Sequence, residues 1–108
     1  MTPLHHVEYI RKKVTCCNCY KKRPIDPHHV NQLGMGRDRK KQLKEHYSVI
    51  PLCRACHQEY HHLGKKRFEK KHKIDVFEQA HYFLSEHIYE IYEKYQILLD
   101  RKNNGKIL

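Results

Sequence analysis

Apolar positions are sparse in the first half of the chain and come in short pieces. Val7-Glu8-Tyr9-Ile10 and Val14-Thr15 are β-prone, with Arg11, Lys12 and Lys13 breaking them apart. Ile25 to Val30 predicts a strand in spite of Pro27, which suits an edge position, and Tyr47 to Leu52 predicts a second strand running into Cys53. Between them, Asn31 to His46 holds Gly34, Gly36 and a run of Arg and Lys, and reads as a long loop. Arg54 to Leu63 lacks Gly and Pro and predicts a helix, with Gly64 placed as a left-handed C-cap. Arg67 to Lys71 adds a short helical turn. Asp75 and Glu78 then have the spacing of a capping box, opening a long helix to about Lys102, with Asn103 to Leu108 as a frayed tail.

Along that last helix Phe77, Leu84, Ile91 and Leu98 recur every seven residues, with Ile88 and Tyr95 interleaved. The stripe fits packing on the core, and it also fits a homodimer, because a helix of roughly 40 Å outruns so small a body and a seven-residue repeat suits paired helices. The expected division is residues 1–74 as a compact core and 75–108 as the helix and tail.

Only 39% of the 108 residues are hydrophobic, too few for a large self-sufficient core, so something else must help hold the chain together. The formal net charge is +10 before any of 11 histidines is protonated, which calls for an acidic partner, most commonly nucleic acid. No run approaches the ~20 apolar residues that span a bilayer, and Met1-Thr2-Pro3-Leu4-His5-His6 lacks the apolar centre of a signal peptide. A cytoplasmic protein with no membrane partner is expected.

Five cysteines in such a chain suit metal ligation better than disulfides. Cys16-x2-Cys19 and Cys53-x2-Cys56 form two pairs, able to join distant segments on one tetrahedral structural zinc. Metal binding then supplies folding free energy that the core lacks. Cys17 is left over and is an alternative to Cys16.

His57 and His61 stand four apart on the predicted helix, on one face, as ligands of a shared ion would. His62 is the alternative to His61, but lies about 100° round the helix from it. His28 and His29 are neighbours on a strand, so their side chains point to opposite sides. A hydrolytic site needs that division, with one imidazole at the metal and one where a water can be deprotonated. Arg37 and Arg39, with Lys40 and Lys41, follow two glycines in the loop and suit phosphate contacts, and Lys65, Lys66 and Arg67 extend the basic surface. Such contacts reach the backbone of DNA, with little sequence preference.

The runs His28-His29-Val30, Gly34-Met35-Gly36-Arg37-Asp38-Arg39 and Ile50-Pro51-Leu52-Cys53-Arg54-Ala55-Cys56-His57-Gln58-Glu59-Tyr60-His61, followed by Gly64 and Phe68, resemble the HNH nucleases of bacteriophage recombination modules. The resemblance covers residues 16 to about 76. It implies a small α+β fold with a ββα-metal, treble-clef-like core, in which His28 is a ligand of the catalytic metal and His29 the general base. The His-x3-His pattern is similar to that of bacteriocin nucleases in the same superfamily, and points to His57 and His61 as the other ligands. The implied activity is a metal-dependent DNA endonuclease leaving 5′ phosphate and 3′ hydroxyl. An all-histidine site accepts Zn2+, Ni2+ or Mn2+ as well as Mg2+. The family's usual asparagine, which orients the base, falls at or near Ser48 here; Ser48 or His46 is positioned to take its role. The competing reading is a non-catalytic zinc-knuckle protein that binds nucleic acid, which accounts for the charge and cysteines but not for a His-His pair opposite His-x3-His.

Overall fold

The structure, a computed structural model, describes the chain except Met35 and Leu108, with backbone alone over 103–107. The order is α1 (Pro3–Arg11), β1 (Ile25–His29), a 3-10 turn (Lys44–Ser48), β2 (Val49–Cys53), α2 (Arg54–Leu63), α3 (Lys65–His72) and α4 (Val76–Ile107). This is a small α+β protein whose sheet has two antiparallel strands, Ile25 opposite Cys53 and His29 opposite Val49. Pro27 faces Pro51 at the centre. Neither can donate, so the alternation of an antiparallel ladder puts its hydrogen bonds on the flanking pairs. β1 thus tolerates proline and still presents His28 and His29 at its end.

The N-terminal segment departs from the β-prone expectation. Pro3 stands at the start of a helix and the Thr2 hydroxyl accepts from the His5 N–H at 3.2 Å, a cap that overrides the local β preference. His6, Val7 and Ile10 form its buried face. The strands are shorter at their outer ends than expected, because Val30 and Tyr47-Ser48 lie in turns, joined by a Val30 N–H to Ser48 carbonyl bond of 2.9 Å. Gly64 has φ 82° and ψ 165°, a positive φ but not the left-handed helical cap foreseen. It separates α2 from α3, which is a full helix rather than a single turn. The Asp75 carboxylate accepts from the Glu78 N–H at 3.1 Å and α4 continues as helix to Ile107, past the expected end at Lys102. The side chains of the expected tail lie outside the described residues.

Cys16, Ile25, Val30, Ile50, Leu52, Tyr60, Phe68, Val76 and Ala80 make the main core, and Val7, Ile10 and Val49 a second one that Phe83 joins to it. From α4 the body therefore takes Val76, Ala80, Phe83 and His87. The seven-residue stripe is a different face: Phe77, Ile88, Ile91, Tyr95 and Leu98 are exposed. The core takes the small Ala80 in place of the larger stripe residues, and the sequence period did not reveal that choice. Beyond His87 the helix projects, giving extents of 61 × 32 × 22 Å. Among the described residues no helix is long and apolar enough to cross a membrane.

Candidate functional site

The two Cys-x2-Cys turns meet. The sulfurs of Cys16, Cys19, Cys53 and Cys56 all lie within 4.8 Å of one another. Cys19 and Cys53 Sγ are 3.8 Å apart, the separation that two ~2.3 Å zinc–thiolate bonds at a tetrahedral angle produce. The first turn closes through the Tyr20 N–H to the Cys16 carbonyl, with Tyr20 at φ 60°. Asn18 donates its backbone N–H to Cys16 Sγ at 3.4 Å and its side-chain amide to Cys56 Sγ at 3.5 Å, dipoles that favour thiolates. Cys17 points into the core instead, its thiol pushed up to about 12 by burial and by Cys16 and Cys19. Of the two alternatives, Cys16 completes the cluster, and the four residues fit a structural metal ion.

A second cluster joins the end of β1 to α2. Nitrogens of His28, His57 and His61 fall within 4.8 Å of one another. His57 Nδ1 is 3.2 Å from an Asp26 carboxylate oxygen, and this oxygen also takes Arg54 at 3.4 Å. A carboxylate only accepts, so His57 carries its proton on Nδ1 and directs the Nε2 lone pair at His61 Nε2, 3.0 Å away. A cation in place of the proton shared there would take both lone pairs. His28 is 3% exposed and its buried Nε2 has no hydrogen-bond partner among the described residues. Burial, with His57 and His61 nearby, holds it down at about 3, so it stays a neutral donor to a metal. His62 is not in the cluster.

Asp26 lies inside the predicted strand, and the sequence reading gives it no role. It precedes His28 by two residues, hence shares its face of β1, and that periodicity was the available signal. Despite the opposing cost of partial burial, His57 and Arg54 hold its carboxyl below the usual range. Tyr60, with its ring 4.0 Å from that of His28, is the other unforeseen neighbour.

His29 turns elsewhere. Its Nε2 is 2.8 Å from His46 Nδ1, and His46 Nε2 is 3.0 Å from the Lys41 carbonyl. The carbonyl can only accept, so His46 donates from Nε2 and accepts at Nδ1, and His29 must donate from Nε2. Its Nδ1 keeps the lone pair. Burial, then His46 and Arg39, hold His29 at about 4. Ser48 does not touch His29: its hydroxyl donates to the Glu45 carbonyl at 2.9 Å and accepts from Asn31 N–H at 3.3 Å, tying the loop. Of the two orienters considered, His46 makes the contact.

A cleft of about 220 Å³ is bordered by His28, His29, Gln32, Arg39, His57 and His61. Arg37 is not among them; its guanidinium bonds Glu45 at 2.9 Å and serves the loop. Lys40, Lys41, Lys66 and Arg67 are exposed, while Lys65 bonds Glu69 at 3.0 Å and stands over the Phe77 ring. The segment around Met35 in the quoted motif lies partly outside the described residues.

Fold and clusters together define a small α+β protein with one all-thiolate and one all-imidazole candidate metal centre on a shared strand-helix frame. The chain belongs to a family described as a protein of unknown function (DUF968), whose profile matches residues 3–88. No curated protein and no solved structure matches it.

Proposed function

We propose that this protein is an HNH-type endonuclease: a metal-dependent hydrolase of phosphodiester bonds in DNA, with little sequence specificity, acting in phage DNA recombination. The single observation that carries the reading is the pairing of two imidazole sets across one cleft. Three histidines converge on a point, and His29, held through its Nε2 by His46, borders the same cleft. A non-catalytic zinc knuckle has no use for either. On this reading the β1-β2-α2 unit is a ββα-metal core, and the cysteine cluster holds structural Zn2+.

His28, His57 and His61 would hold the catalytic ion, and Asp26 fixes the tautomer and direction of His57. A bound divalent cation supplies Lewis-acid stabilisation of charge on the phosphorus oxygens and on the leaving 3′ oxygen. His29 Nδ1 takes the proton of the attacking water while its Nε2–H stays anchored on His46, and Arg39 holds a non-bridging oxygen. The exposed Lys40, Lys41, Lys66 and Arg67 add backbone contacts whose strength falls with salt.

The test is cleavage of supercoiled plasmid and single-stranded DNA by wild type and His29→Ala, each freed of loosely held metal and resupplied with Mg2+, Mn2+, Ni2+ or Zn2+. Nicking by wild type should depend on metal and fall about 100-fold or more in the variant, with DNA binding retained. Wild type that binds DNA and cleaves neither substrate with any of these ions would leave a nucleic-acid-binding module in its place.

A further inference from the structure

Ile88, Ile91, Tyr92, Tyr95 and Leu98 of α4 are 38–61% exposed. At about 100° per residue they share one side of the helix, and the body packs on another. Among the described residues nothing covers them. We propose that this stripe is the seam of a homodimer, covered by α4 of a second copy.

Three properties of the chain select that occupant. Leu84, Ile88, Ile91, Tyr95 and Leu98 are spaced by four and three residues alternately, the repeat of an apolar seam between two helices, and a second copy presents the matching repeat. With its two tyrosines and its aliphatic residues, each stripe offers on the order of 600 Å², or about 1,200 Å² for a pair, which is the lower edge of a stable interface and the most a monomer usually leaves bare. The charges from 88 to 102 are Glu90, Glu93 and Asp100 against Lys94, Arg101 and Lys102, so this stretch is neutral while the whole chain is +10. Two such stretches meet without repulsion, whereas DNA is drawn to the basic body. Most of the seam lies past residue 88, where the family match ends. Neither metal cluster takes part, so the result is independent of the proposed nuclease activity.

Sedimentation velocity of the full, zinc-loaded chain over a concentration series reads the outcome. Wild type should pass from monomer to dimer. Ile91→Glu with Leu98→Glu should weaken the dimer on the order of 100-fold while far-ultraviolet circular dichroism and zinc content are unchanged. If the charged variant loses helix, Ile91→Ala with Leu98→Ala keeps helix propensity and should weaken the dimer about tenfold or more. A wild type that stays monomeric throughout overturns the proposal, as does a dimer that the stripe variants leave intact. A monomer whose binding to single-stranded oligonucleotide is lost with the stripe also overturns it, and gives the face to nucleic acid.

Discussion

His29 is oriented by an imidazole, and this makes the role of His46 separable from the base role proposed for His29. His46→Ala removes the acceptor for His29 Nε2–H, freeing the ring to rotate and exchange tautomers. Turnover should fall about 10- to 100-fold with the dissociation constant for DNA unchanged, and His46→Asn, whose side-chain oxygen can accept the same bond, should recover part of it. Steady-state kinetics on a labelled duplex separates the two quantities. At the metal, Asp26→Asn should weaken binding of the catalytic ion about 10- to 100-fold and leave the cysteine-bound zinc in place, read by titrating Mn2+ or Zn2+ into protein with one zinc per chain. His29 at about 4 is already unprotonated at neutral pH. On the proposed mechanism, with the metal site kept saturated, protonation of His29 should therefore begin to limit activity only well below 6.5. The two cysteine pairs and the pair His57 and His61 were legible because each has a fixed local spacing, whereas His28 was placed with them only by the resemblance. Asp26 was given no role and His46 stood only as an alternative to Ser48, because their roles depend on what lies across the fold from them.

At the scale of elements, α1 is the part local patterning misread. Its β-prone residues are offset by the Thr2 cap and by a tertiary clasp on α4. His6 is fully buried, shares a 2.9 Å Nδ1–Nδ1 hydrogen bond with His87, and Tyr9 stacks on the His87 ring at 4.0 Å, while Tyr9 and Lys13 both bond Glu86. Nothing in the sequence paired residues 81 positions apart. Burial, then His87, hold His6 at about 4 against an ordinary 6.5. The unfolded chain thus takes up the proton first, so this contribution to stability is complete above pH 6.5 and is lost as pH falls from there towards 4. Urea midpoints should decline over that window, and His6→Phe should flatten the decline; equal slopes in the two proteins would rule out the clasp as its source. The strands and α2 were legible, since their alternation and end signals are local. At their junction Phe68 is fully buried between Tyr60 and His72, and Phe68→Ala should cost about 3–5 kcal/mol in urea unfolding.

For the molecule as a whole, a chain with 39% hydrophobic residues divides its burial between two modest clusters, and the cysteine site joins the knuckle at Cys16 to the start of α2. Loss of the metal should therefore cost the fold as well as the site, with chelation abolishing cooperative thermal unfolding and zinc restoring it. The composition made that dependence legible, whereas the face on which α4 docks was not, because the stripe with the clearest repeat is the one left outside. The proposed activity rests on a second ion, held by imidazoles alone, and one measurement reaches it directly: plasmid nicking followed as Mn2+ is titrated into protein that already carries one zinc per chain. The rate should rise and saturate as one further ion binds per chain, and His57→Ala, with its cysteine-bound zinc intact, should stay near background at every concentration. Nicking that neither responds to the second ion nor falls in His57→Ala, or no nicking by wild type at saturation, would contradict the assignment of His28, His57 and His61 as the catalytic centre.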